Sequence, residues 1–310
     1  MPELPEVETI RRHLSPHVEG RVLSRLAILD PRWSHPIAPR ELAVGLEGRR
    51  VERLARRGKY LVFELSGEAH LLVHLRMTGT LLLAREAPHE RVHFDLDEGE
   101  IRLVFADPRR FGTGELALGD EALEAFLGAR LGVEPFDPAF TAEHLRRLAR
   151  RCRAPVKAFL LDQKRIAGVG NIYADEALHR ARIHPRRIAS TLKPAQTAAL
   201  RDAVVASLAD GVEAKGATID DFRHPDGVRG SFQDQFLVHR REGEPCPACG
   251  TLVRKLVVAG RGTYVCETCQ PRPRARRVTP PARVQPAGGR ARPAPGDPVA
   301  RGPANVDGGR

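Results

Sequence analysis

MPELPEVETIRRHL, residues 1–14, opens on Pro2-Glu3-Leu4-Pro5-Glu6 and then sets Val7, Ile10 and Leu14, with Val18 beyond, at helical spacing. Apolar positions three and four apart form one stripe, and Glu6 and Glu8 put acidic groups in the first turn, where they complement the helix dipole. The spacing predicts an amphipathic helix beginning at about Pro5. Pro5 and Glu6 are ordinary residues for such a start; Pro2-Glu3 ahead of them are not needed for one. Removal of Met1 would expose at Pro2 a secondary amine with a pKa in the α-amino range, about 8 and well below that of lysine. Such an amine is partly unprotonated near neutral pH and can attack a carbon electrophile such as a sugar carbon. On these residues alone, a plain helix start and a catalytic N-terminus both stand.

From Arg21 to about Glu115 the pattern changes to short apolar or alternating runs separated by Gly, Pro and acidic turns: Tyr60 to Leu65, Leu71 to Leu75, Thr80 to Leu83, Val92 to Leu96 and Ile101 to Phe105. These read as strands of an antiparallel β-sandwich. From Glu121 helical periodicity returns through EALEAFLGARL, TAEHLRRLARR, PVKAFLLDQKRIAGVG, NIYADEALHRARI and PAQTAALRDAVVASLADGVEAKG, with Gly, Pro and Asp at the breaks. A helical domain therefore follows the sandwich. The next stretch, GATIDDFRHPDGVRGSF, is polar and irregular and suits either a functional loop or a linker. Gly168-Val169-Gly170-Asn171 lacks the third Gly and the preceding strand of a dinucleotide loop and reads as a turn.

With 310 residues, 42% of them hydrophobic, the chain can bury a real core and fill two domains. Its 50 Lys+Arg against 39 Asp+Glu give a formal charge of +11, which favours a polyanion, either nucleic acid or an anionic membrane surface. No stretch approaches the ~20 consecutive apolar residues of a spanning helix, and the acidic start lacks the apolar segment of a signal peptide. Both features point away from membranes and towards the cytoplasm. Residues 271 to 310 carry nine Arg against two Asp among abundant Pro, Ala and Gly, and read as a disordered basic tail. Nine minus two assigns +7 to the tail and leaves +4 of the +11 for residues 1 to 270. Binding of a polyanion therefore depends on where individual cations sit.

Four of the five cysteines, Cys246, Cys249, Cys266 and Cys269, form two C-x2-C pairs sixteen residues apart, while Cys152 stands alone. That spacing matches a structural zinc site in which two knuckles each supply two thiolates. Leu252 to Val258 and Thr263 to Val265 flank Ala259-Gly260-Arg261-Gly262 as a hairpin, too small to fold without metal. Arg254, Lys255 and Arg261 make it cationic.

MPELPEVETIRRHL resembles the N-terminus of formamidopyrimidine-DNA glycosylases, bacterial enzymes that excise 8-oxoguanine and ring-opened purines. The resemblance continues in order through RRGKYL (56 to 61), HLRMTG (74 to 79), DPRRFG (107 to 112), VKAFLLDQKRIAGVGNIYADEAL (156 to 178), the DFRHPDG loop, CPACG and RGTYVCETCQ. It implies an α+β multidomain fold divided as an N-terminal catalytic β-sandwich with its opening helix (1–118), a helix-two-turns-helix domain (119–215), a lesion-recognition loop and connector (216–240), a four-cysteine zinc-finger hairpin (241–270) and the tail (271–310). Damaged double-stranded DNA would lie between the domains of a monomer acting at the nucleoid.

By that resemblance Pro2 attacks the sugar C1′ and Glu3 protonates the opening deoxyribose, with Glu6 as a supporting carboxylate. Lys59 is the proton donor in β-elimination and Arg261 in δ-elimination. Flipping a base out of the stack leaves a void, and Met77, Arg109 and Phe111 match the residues that fill it; without the resemblance, Met77 and Phe111 read as core and Arg109 as a surface charge. Phosphate contacts fall to Lys59, His74, His93, Arg153, Lys157, Asn171 and Arg261. The chain departs from the pattern at Ser231, where an aromatic is often found, at His239-Arg240 in place of Tyr-Gly, and in the length of its tail. Two other classes compete: an endonuclease VIII type that prefers oxidised pyrimidines, and a non-catalytic zinc-finger DNA-binding protein. Intact Pro2, Glu3 and Lys59 weigh against the latter.

Overall fold

The structure is a computed structural model that describes residues 1–218 and 230–273. The DFRHPDG loop and the tail beyond Pro273 lie outside the described residues.

Helix α1 (Leu4–Val18) buries Val7, Ile10, Leu14 and Val18 in the core of the first domain, the stripe anticipated from spacing. Its first residue, Leu4, belongs instead to the core of the helical domain. One helix thus joins two cores. At about 1.5–3 kcal/mol for each fully buried aliphatic side chain, this attachment fixes Pro2 and Glu3 where the two domains meet.

The first domain is a sandwich of two antiparallel sheets. One is ordered β1 (Leu23–Ile28), β6 (Glu90–Leu96), β7 (Ile101–Ala106), β5 (Thr80–Leu83); the other β2 (Val51–Arg57), β3 (Tyr60–Leu65), β4 (Ala69–His74), β8 (Thr113–Leu118). Phe63 stacks on Phe94 across the sandwich, and Trp33 meets Phe94 edge-on. On the outer face, α3 (Asp120–Gly128) packs Leu123 and Leu127 on Tyr60, Val62 and Leu72. Because β3 and β4 are covered on both sides, they read as near-continuous apolar runs, broken only by Glu64, His70 and His74, rather than alternating ones. The run anticipated at Leu71 to Leu75 begins two residues earlier in the structure, since Ala69 and His70 pair with Leu65 and Glu64. A short helix, α2 (Pro39–Leu46), closes one end with Leu42 and Leu46.

The helical domain contains α4 (Ala142–Arg150), α5 (Val156–Leu161), α6 (Asn171–Arg180) and α7 (Pro194–Glu213). PVKAFLLDQKRIAGVG is helical only as far as Leu161. Two turns follow: the carbonyl of Asp162 accepts from the amides of Arg165 and Ile166, and the Gln163 side chain bonds the Gly168 amide and the Val169 carbonyl. The chain is thereby turned to start α6 at Asn171, giving the helix-two-turns-helix. Strands β9 (Arg254–Val258) and β10 (Arg261–Val265) form the C-terminal hairpin. Among the described residues no helix is long and apolar enough to cross a membrane.

Candidate active site

Glu3 precedes α1 with its carboxylate buried against the N-terminus of α6, accepting from the amides of Ile172 at 3.0 Å and Tyr173 at 3.4 Å. Unpaired amides at a helix start are a natural anion site. A Cβ on Gly170 would lie 2.2 Å from the Glu3 carboxyl carbon, so that turn admits no side chain. Glu6, one turn into α1, accepts from the Glu3 amide, the Tyr173 hydroxyl and the Ala217 amide, each at 2.8 Å. Burial, followed by the neighbouring Glu3 carboxylate, raises the Glu6 pKa against these three bonds. Gly216, at φ +78°, takes a backbone shape that favours glycine and leaves room for the Glu6 side chain.

A cleft of about 530 Å³ opens over this pair and is lined by Met1, Pro2, Glu3, Glu6, Lys59, His74, Met77, Asn171 and Arg261. Eight of the residues to which the resemblance gives a role therefore share one space. A larger groove, about 840 Å³, runs along Arg11, Arg53, Arg56 and Arg57. There the arginines are ion-paired with Glu8, Glu64, Glu134 and Glu124.

Lys59 is buried, and desolvation lowers its pKa, with the Glu3 and Glu6 carboxylates opposing the shift and Arg261 adding to it. A lysine that releases its proton more readily than usual suits a proton donor. His74 is held edge-on to Tyr60 and accepts the Arg76 amide at Nδ1. Burial first, then Arg76 and Lys59, drives its pKa down to about 3. It is a neutral ring near pH 7, able to offer a hydrogen bond and not a charge.

Loop 107–112 is organised by Asp107, which is fully buried. Its carboxylate accepts from the amides of Arg109, Phe111 and Gly112 at 3.2, 2.8 and 2.8 Å, and from the Thr78 hydroxyl beside Met77. The loop presents Phe111 with 51% of its surface exposed and the Arg109 guanidinium 5.0 Å from its ring centroid. An exposed Phe beside an Arg, clamped by a buried carboxylate, is a rigid protrusion and not core, contrary to the reading from spacing alone.

Three other assignments, Arg153, His93 and Lys157, lie outside the cleft or inside the protein. Arg153 is exposed between α4 and α5, and His93 on β6 pairs with Glu90 at 3.0 Å. Asn171 lines the cleft but gives its amide to the Gly262 carbonyl at 3.1 Å. Lys157 lies beneath the hairpin, away from the cleft lining. Its side chain is 0% exposed, and its ammonium donates to Asp175, the Gly262 carbonyl and the Thr263 hydroxyl. All three of its N–H donors are occupied within the protein. Asp107, Tyr173, Asp175 and Glu176 were not picked out from sequence, although each stands inside a motif quoted above.

The sulfur atoms of Cys246, Cys249, Cys266 and Cys269 all lie within 4.8 Å of one another. A tetrahedral zinc ion with Zn–S of about 2.3 Å separates its sulfurs by about 3.8 Å, and the pairs Cys246/Cys269 and Cys249/Cys266 stand at 3.9 and 3.4 Å. Burial and the adjacent sulfurs push the Cys269 thiol up to about 12; four thiolates this close need a cation. The residues fit one structural zinc ion, whose chemistry here is to tie the two knuckles together. His179 on α6 places Nε2 3.3 Å from Cys246 Sγ and links that site to the helical domain.

The chain matches the model of the formamidopyrimidine-DNA glycosylase N-terminal domain over residues 1–114, of the H2TH domain of the same glycosylases over 131–223, and of the zinc finger found in FPG and IleRS over 243–272. It is 47% identical over 272 residues to the formamidopyrimidine-DNA glycosylase of Thermus thermophilus, spanning 87% of this chain and 98% of the relative. The corresponding protein of Pelotomaculum thermopropionicum is 44% identical over 275 residues, spanning 87% and 99%. The solved MutM (FPG) protein of Thermus thermophilus is similar in structure at a TM-score of 0.80 and 45% identity, over 87% of this chain and 98% of that one. Lactococcus lactis Fpg in complex with abasic-site DNA gives 0.81 at 34% identity, over 87% and 100%.

Proposed function

The chain belongs to the formamidopyrimidine-DNA glycosylase family, bifunctional enzymes that excise oxidised purines from duplex DNA and then cleave the strand as abasic-site lyases, and we propose that its own Pro2, Glu3, Glu6, Lys59 and Arg261 carry that chemistry. The observation that supports this reading most is the placement of Glu3 on the amides that begin α6, in one cleft with Pro2, Lys59 and Arg261. With Met1 removed, the Pro2 amine attacks C1′ as the base departs, and the Glu3 carboxylate takes the proton the amine loses and passes it to the ring oxygen of the opening sugar. A secondary amine can form only a cationic iminium, which draws electrons from C2′. Loss of the C2′ proton then expels the 3′ phosphate, and loss of the C4′ proton expels the 5′ phosphate. Lys59 serves the first elimination and Arg261 the second. Hydrolysis of the iminium returns Pro2.

Lys59, His74, Asn171 and Arg261 would contact phosphates from within the cleft, with Arg153 and His93 as outlying contacts. Loop 107–112 and Met77 would fill the space left by the extruded base. The enzyme acts as a monomer on nucleoid DNA, and the divisions 1–118, 119–215, 216–240, 241–270 and 271–310 mark its working parts. Incubation with duplexes carrying 8-oxoguanine or an oxidised pyrimidine tests the substrate class. Faster strand cleavage is expected at 8-oxoguanine; the reverse preference favours the endonuclease VIII reading.

Arg109 gives a second expectation. Once the lesion is extruded, its guanidinium can donate to O2 and N3 of an orphan cytosine, whereas adenine turns an amino donor towards the same space. One such mismatch is worth about 1–3 kcal/mol, or roughly 5- to 150-fold in rate. Arg109→Ala should therefore slow excision opposite cytosine more than opposite adenine. Excision rates for both pairs, in wild type and variant, check this; an unchanged ratio removes Arg109 from the role.

A further inference from the structure

Arg261 is exposed at the start of β10, so its placement depends on the backbone that follows it. That backbone is held from below. The carbonyl of Gly262 accepts from Lys157 Nζ at 3.0 Å and from Asn171 Nδ2 at 3.1 Å, and the Thr263 hydroxyl meets Lys157 Nζ at 2.9 Å. Lys157 is held in turn by Asp175 Oδ1 at 2.6 Å. The other oxygen of Asp175 meets His239 Nδ1 at 2.9 Å and the Tyr264 amide at 3.4 Å. Glu176, the next residue on α6, grips the amides of Leu237, Val238 and His239 at 2.8, 3.0 and 2.9 Å.

Replacing a buried ion pair by apolar side chains is often neutral or stabilising, and the best-attested reason to keep one is to fix register. Here the pair lies between α5 and α6 under the hairpin, and Asp175 stands one turn along α6 from the amides that hold Glu3. A single short helix therefore sets both the Glu3 carboxylate and the strand that carries Arg261.

We propose that Asp175, braced by His239, is a positioning residue for Arg261, and that it governs how often the strand is cleaved by both eliminations rather than by the first alone. This rests on the assignment of Arg261 to the second elimination. Attack by Pro2 and the first elimination do not use Arg261 as a proton donor, so once the duplex is saturated with enzyme they should not respond to the network, whatever DNA affinity is lost with the Arg261 phosphate contact.

The test uses full-length, zinc-loaded enzyme on an end-labelled 8-oxoguanine duplex, separating the unsaturated-aldehyde end left by one elimination from the phosphate end left by two. Asp175→Asn should raise the ratio of single to double elimination about tenfold, inside the roughly 10²-fold that a ~1 Å misplacement can cost. With enzyme saturating the duplex, borohydride trapping at Pro2 should be unchanged. His239→Phe should move the ratio in the same direction, and His239→Gln, which keeps an N–H donor for Asp175, should restore it. In an Arg261→Ala background Asp175→Asn should add nothing, since the two act in series. A wild-type ratio in Asp175→Asn, or an additive effect in that background, overturns the proposal. If Asp175→Asn does not retain zinc, the His239 pair decides, and a wild-type ratio in His239→Phe is equally fatal. If Arg261→Ala itself leaves the ratio unaltered, the assignment of Arg261 fails instead.

Discussion

Glu3→Gln should lower excision of 8-oxoguanine by about 10²–10⁴-fold, the span that a positioned general acid contributes, while leaving most of the reaction at a preformed abasic site. The two carboxyl oxygens meet the amides of Ile172 and Tyr173, and a glutamine can keep only one of those contacts and has no proton to give. Base departure requires the deoxyribose to open, and that opening needs the acid. A preformed abasic sugar already has an open-chain fraction, so Pro2 can form the iminium there with less help. Single-turnover rates on both duplexes separate the cases: the loss should be far larger on the base-containing one. Equal losses would mean that Glu3 organises the N-terminus and does not donate the proton.

Removing zinc, by Cys249→Ser or by chelation, should cost about 10²-fold or more in affinity for an abasic-analogue duplex, equivalent to ~3 kcal/mol. The finger core consists of little beyond Val238, Val253 and the cysteines themselves, which cannot order a hairpin unaided. Structural zinc in such modules supplies about 10–16 kcal/mol of apparent binding energy that is at once folding energy. With the metal gone, Arg261 is no longer held over the cleft, and a cationic contact is lost with it. Metal content and fluorescence anisotropy on the same sample give the readout. Native affinity in metal-free protein would contradict the structural role.

How far the sequence could be read followed from how local each signal was. Val7, Ile10, Leu14 and Val18 declare α1 because their meaning lies in one another. Tyr60–Leu65 and Thr80–Leu83 were legible in full because their apolar runs end in turns. β2 was not, since VERLARR buries only Val51 and Leu54 and spends its other positions on charge, as in the cross-strand pair of Arg53 with Glu64. β8 hid behind Gly114, whose missing side chain makes room for Trp33, 81 positions earlier in the chain.

The site divides the same way. Resemblance of motifs located the residues that line the cleft, but it could not distinguish a lysine that lines it from one sealed under a hairpin. Lys157 is sealed because its partners lie at Asp175 and at Gly262 and Thr263, which no local pattern connects. Asp107 and Glu176 were passed over for a related reason: a buried acid acquires its role from the amides that fold onto it, and those amides are invisible until the chain has turned back.

Reductive trapping tests most directly whether the amine of Pro2 is the nucleophile. Borohydride added during turnover of an 8-oxoguanine duplex should reduce the iminium and leave DNA covalently attached to the peptide that begins at Pro2. Protein that retains Met1, or carries any residue ahead of Pro2, should give no adduct and no excision, because its nitrogen is locked in an amide. An adduct on a lysine such as Lys59, or full excision and trapping with the terminus blocked, would contradict the account.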